Sequence, residues 1–171
     1  MDYNSLNILI PYQYASRLVT LSWDEILFMI KEKLFEENAA VQHAIELLSE
    51  DEDLPYSVIE LSCLKNGESI HPYIDDLTKD KLDEEDGDKI KNKFMFLLLD
   101  WVFENKDSFS DPLEVVEIIY ADFDYPPEIS KFVRYMPADE PLQDTIEKNI
   151  LRLYEKWKNY LDKQKNIFKI N

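Results

Sequence analysis

Glycine occurs only twice in the 171 residues, at Gly67 and Gly87. Tight hairpins and left-handed turns call on glycine repeatedly, so this scarcity argues against an all-β chain of many short strands. It also removes the glycine-rich loops that cradle phosphates, because the two glycines stand alone. What remains is helix. A hydrophobic share of 45% is ordinary for a globular protein, and the length suits one domain with a core of its own, 1–171.

The helix signals are local and readable. Ser22-Trp23-Asp24-Glu25 is a capping box, followed by Ile26, Leu27, Ile30 and Leu34 at helical spacing. A second helix is expected over 37–49, with Ala40, Val41, Ala44, Ile45 and Leu48 inward, ended by the acidic residues 50–53 and Pro55. Residues 58–64 are apolar and short; their neighbours favour helix, although 58–64 and 6–10 are the two strand candidates. A helix over 88–105 is apolar nearly all round (Phe94, Phe96, Leu97, Leu98, Leu99, Val102) and belongs inside its domain. Asp111-Pro112-Leu113-Glu114 starts the next helix, with Asp111 as cap and Pro112 in the first position. Pro126-Pro127 ends it, a short helix over 128–135 follows, and a last helix over 142–164 carries Ile146, Ile150, Leu153, Tyr154, Trp157 and Leu161 on one face. The expectation is an all-α, single compact domain of seven or eight helices with little or no strand.

Charge sets the second constraint. Nineteen basic residues face 36 acidic ones, a net −17. Phosphate binding needs clustered Lys and Arg, so nucleic acid and anionic membrane surfaces are unfavourable partners. The last 27 residues reverse the sign: seven basic against three acidic, a net +4. A basic final helix against an acidic body lowers that body's self-repulsion. Among the acidic segments the densest holds Asp80, Asp83, Glu84, Glu85, Asp86 and Asp88, read as a loop merging into a helix N-terminus.

Sites of chemistry are scarce. Cys63 is the single cysteine, so neither an internal disulfide nor a Cys-based zinc site forms; its apolar surroundings predict a buried, inert thiol. An EF-hand with Gly87 at loop position six would put Leu82 and Lys93 where carboxylates are needed. Glu68-Ser-Ile-His71 has the Glu-x-x-His spacing of di-iron bundles, but His43 has Ala40 three residues before it, and both histidines read as surface residues. Asp122, Asp124 and Arg134 are expected to act structurally, Arg134 bending back to pair with one of the two aspartates at the Pro126-Pro127 corner. No catalytic residue, metal or cofactor is predicted. The N-terminus lacks a basic signal-peptide region, and the longest apolar run, 94–103, is broken by Asp100, which points to a cytoplasmic protein.

The strings Tyr120-Ala-Asp-Phe-Asp-Tyr-Pro126 and Phe132-Val-Arg-Tyr-Met-Pro137, with 21–26 and 111–116, resemble a bacterial family of small acidic proteins of unknown function. Proteins of this kind are similar to immunity proteins encoded beside polymorphic toxins. The resemblance implies a non-enzymatic binder of a basic, nuclease-like toxin domain. Charge then points to Asp75, Asp76, Asp83, Glu84, Glu85, Asp86 and Asp88 as contacts, with Tyr73 as an exposed aromatic anchor. Two other readings stand beside it: a small metal-assisted enzyme using Asp122, Asp124 and Glu128, and a structural subunit marked by an exposed apolar patch.

Overall fold

Side-chain caps at Ser22, Asp111 and Thr145 set the starts of three of the helices. A computed structural model describes residues 1–51 and 53–168; Glu52 of the acidic segment and Lys169 of the basic tail lie outside the described residues. The fold is all-α: eight α-helices and two short 3-10 turns, with no strand among the described residues. The chain divides into two compact units, residues 7–90, and residues 1–6 together with 91–171.

The 7–90 unit opens with α1 (Tyr12–Leu18), whose first position follows Pro11. The Ser22 hydroxyl accepts the Glu25 backbone N–H (3.2 Å) while the Glu25 carboxylate accepts the Ser22 N–H (2.9 Å), so the capping box starts α2 (Trp23–Lys31). Lys33, with φ +62°, turns the chain left-handed, and the Leu34 N–H bonds the Met29 carbonyl (2.8 Å). α3 (Asn38–Glu50) packs on α1, α2 and α4 (Tyr56–Ser62), and α4 packs on α5 (His71–Ile74). The buried face of α3 is Ala39, Ala40, His43 and Ala44, rotated from the expected stripe; Ile45 faces solvent. Three alanines let neighbouring helices approach closely, and that closeness encloses His43.

Of the segment 58–64, residues 58–62 are helical as their neighbours suggested, with Val58 and Leu61, at i and i+3, buried. Cys63 sits at the C-cap of α4 and is exposed, which corrects the buried thiol expected there.

α6 (Glu84–Glu104) begins four residues earlier than periodicity indicated. The cause is electrostatic: the Asp83 carboxylate accepts the Asp86 N–H (2.8 Å), and Glu84, Glu85 and Asp86 lie in the first turn, where the helix dipole favours anions. In the other unit Phe94, Phe96, Leu97, Leu98, Leu99 and Val102 are all buried. α7 (Pro112–Asp122) is capped by the Asp111 carboxylate. The expected helix over 128–135 contracts to a 3-10 turn, Ser130–Phe132, after which Val133 is extended.

α8 (Ile146–Ile167) starts at Thr145, whose hydroxyl accepts the Lys148 N–H (3.2 Å). Its packing rests on aromatic contact. Phe132 stacks on Trp157 (centroids 6.1 Å apart), and Phe103 meets the same indole edge-on at 5.1 Å. Trp157, Tyr160 and Leu161 are buried, whereas Ile146 and Ile150, on the same predicted face, are exposed. The cations of α8 are largely spent inside this unit: Lys156 pairs with Asp139 and Glu140, Arg152 with Glu140, and Lys165 with the buried Asp100 at 3.1 Å.

Candidate interaction surface

The acidic segment is built on two short anchors. Ile70 and Ile74, one helical turn apart, bury on the same face of α5, and this register leaves Tyr73 on the flank, half-buried. Tyr73 is therefore not the exposed anchor expected from sequence. Asp75 and Asp76 follow directly and face solvent; the Asp76 carboxylate accepts the Ser57 hydroxyl at 3.3 Å. The Lys79 backbone N–H donates to Asp24 (2.9 Å), and its ammonium reaches Asp86 at 2.9 Å. That hydrogen bond holds Asp86 below the usual carboxylate range and raises Lys79. Lys89 pairs with Glu85 one turn earlier (2.9 Å) and is raised by it.

The predicted contact residues thus divide by task. Asp83 caps a helix, Asp86 and Glu85 hold lysines, and Asp75, Glu84 and Asp88 stand exposed with no cation paired to them among the described residues. The wider setting is strongly acidic. By sequence, residues 7–90 hold seven basic and twenty acidic residues, a net −13, and the remaining residues carry −4.

The proline corner departs from the sequence reading. Arg134 pairs with neither Asp122 nor Asp124. Its Nε donates to Glu117 (2.8 Å), and a terminal nitrogen lies 2.9 Å from Asp111. The extended backbone at Val133 carries Arg134 back along α7 to its capped end. Asp122 is eleven residues further on, roughly 16 Å along the helix axis. Asp122 instead accepts the Ser5 hydroxyl (2.7 Å) and backbone N–H (3.2 Å), tying the first residues to α7.

Asp124 and Tyr125 both take φ +59°, and the Tyr125 N–H closes on the Tyr120 carbonyl at 2.8 Å. Two successive non-glycine residues in the left-handed region carry backbone strain. They leave Tyr125 and Tyr135 exposed on either side of Tyr120, with centroids 5.2 and 6.2 Å from its ring. Exposed aromatics therefore do exist in this chain, but sequence spacing gave no signal for them. Asp122, Asp124 and Glu128 do not come together, and no group of three or more His, Cys, Asp or Glu fit for a metal forms among the described residues.

A buried polar chain was also missed. His43, expected at the surface, lies under Trp23, whose ring meets it edge-on at 4.6 Å. The Tyr12 hydroxyl lies 2.7 Å from His43 Nδ1 and also bonds the Glu46 carboxylate. One hydroxyl proton serves one acceptor, so Tyr12 donates to Glu46 and accepts from His43 Nδ1–H. This arrangement places a proton on Nδ1, and burial keeps the imidazole neutral. Burial lowers the His43 pKa to about 4, opposed by the Glu46 charge, and burial, reinforced by Glu46, raises Tyr12 well above its usual value. The only sequence hint was the four-residue interval from Ala39 through His43, which places the imidazole on the alanine face.

The acidic segment lines neither of two clefts. One of about 430 Å³ is lined by Leu9, Tyr12, Gln13, Glu36 and Gln42. Another, of about 610 Å³, lies between α8 and the 136–142 loop, against Met136, Pro141, Leu142 and Leu153.

With this geometry established, comparison with known proteins adds a family and little else. The family described as "Uncharacterized protein conserved in bacteria (DUF2247)" matches residues 12–165. The chain belongs to this family. The match runs from α1 well into α8, so it takes in most of both units of this family member. No curated protein and no solved structure matches the chain. No helix among the described residues is long and apolar enough to cross a membrane.

Proposed function

We propose that this family member is a non-enzymatic acidic binding protein that neutralises a basic, nuclease-like toxin domain by covering its substrate groove, as an immunity protein does, in the cytoplasm and without a cofactor. The observation that carries this reading is the concentration of charge: residues 7–90 hold most of the net −17, and Asp75, Glu84 and Asp88 remain exposed and unpaired within one fourteen-residue stretch. A nuclease groove is cationic because it holds phosphates, and a carboxylate-rich surface offers that groove the charge it is built to accept. Long-range attraction then speeds encounter and weakens as salt screens it. The same charge opposes nucleic acid and anionic membranes as partners.

The test is direct. The full chain is mixed with the C-terminal domain encoded by the gene beside it, and binding is followed by calorimetry at about 50 mM and about 500 mM salt. The reading expects a complex that weakens at least tenfold between the two conditions and abolishes the partner's nuclease activity. No complex, or an affinity indifferent to salt, overturns it.

A further inference from the structure

The first turns of α8 expose more apolar surface than a lone helix end should. Ile146 is 74% exposed, Leu151 62% and Ile150 38%, and Leu142 just before the helix is also open to solvent. Ile146 and Ile150 continue the face that buries Trp157 and Leu161 further along, so the inward stripe runs on past its own core.

One flank of this exposed region has a distinctive order. Glu147, Leu151, Tyr154 and Lys158 are spaced four, three and four residues apart, the interval of a coiled-coil seam. Glu147, Leu151 and Lys158 are exposed, and Tyr154 is half-buried, its ring stacked on Trp157 at 5.8 Å. Neither Glu147 nor Lys158 is engaged in an ion pair among the described residues, although Lys148, Arg152 and Lys156 on the same helix all are.

The pattern is its own complement when read backwards. If a second α8 lies antiparallel across it, Glu147 meets Lys158 of the other copy, and Leu151 meets Tyr154. The two-fold axis passes between residues 152 and 153, and every contact occurs twice. An isologous interface requires this self-complementarity, and an antiparallel seam pairs such positions layer by layer. The charge distribution also favours this helix: its unit carries −4, against −13 for residues 7–90, so two copies meet here with the least repulsion.

We infer that the exposed Glu147–Leu151–Tyr154–Lys158 flank of α8 is a homodimer interface, whose occupant is the same helix of a second copy running antiparallel. The interface uses no residue of the acidic segment, neither Asp75, Glu84 nor Asp88.

Sedimentation velocity on the full chain, from about 1 to about 100 µM, tests this. The wild-type protein is expected to pass from monomer to dimer across that range. Leu151→Asp should abolish the dimer, with helix content by circular dichroism unchanged because the side chain is exposed. Lys158→Glu sets two pairs of like charges against each other and should weaken the dimer roughly tenfold. Combining it with Glu147→Lys restores both pairs in reversed order and should return the wild-type constant. A wild-type chain that stays monomeric throughout, a dimer indifferent to Leu151→Asp, or a double variant as weak as Lys158→Glu alone would each overturn the inference.

Discussion

Acidification should cost the 7–90 unit stability through His43 in particular. The imidazole is neutral and enclosed by Trp23, Tyr12 and the α3 alanines, and burial takes its pKa from 6.5 to about 4. At pH 7 both the folded and unfolded chain hold it neutral. As pH falls through 6.5 the unfolded chain binds a proton that the folded chain refuses, so stability is lost downward from pH 6.5 and the loss is complete near pH 4. At pH 5 this amounts to about 2 kcal/mol relative to pH 7. Carboxylates titrate in the same region, and partial neutralisation of the net −17 relieves repulsion, so the wild-type curve alone does not isolate the histidine. His43→Gln does: its amide can still donate to Tyr12 but never takes a charge. Urea unfolding of both proteins at pH 7 and pH 5, followed by tryptophan fluorescence, gives the difference. The wild type should lose about 2 kcal/mol more than the variant over that interval. Parallel losses would refute the buried, neutral imidazole.

Two further substitutions probe the other unit. Lys165→Met removes the ammonium 3.1 Å from the buried Asp100 carboxylate and should destabilise by about 1 to 3 kcal/mol, less than a fully buried pair because the lysine is partly exposed; thermal unfolding reads it. Asp124→Gly relieves a left-handed residue that makes no side-chain ion pair and should stabilise by about 0.5 to 1 kcal/mol in urea titration, whereas a loss would mean the aspartate side chain holds the corner.

Much of this fold could be read from short stretches of sequence because its signals are short-range. The Ser22–Glu25 box, the Asp111-Pro112 start and the apolar run of 94–99 each act within a few residues, and each forms as expected. The misses share a different cause. His43 is buried because three alanines on α3 let distant helices close over it, a consequence of packing that no local window contains. Arg134 chooses Glu117 and Asp111 because Val133 is extended, and that dihedral is set by how the chain returns along α7. Tyr73 loses its exposure to the register that buries Ile70 and Ile74. For the acidic segment, the identities of the residues were legible, but their division into caps, lysine partners and unpaired carboxylates depended on where α6 begins.

The central claim is that the unpaired carboxylates steer this protein to a cationic partner. Stopped-flow association with the neighbouring gene's C-terminal domain measures it, comparing wild type with a variant in which Asp75, Glu84 and Asp88 are all changed to Lys. These three leave the Asp83 cap and the Lys79–Asp86 pair intact. The account predicts an association rate roughly tenfold or more slower at low salt, with the gap closing as ionic strength rises and little change in dissociation. Equal association rates at low salt would contradict it.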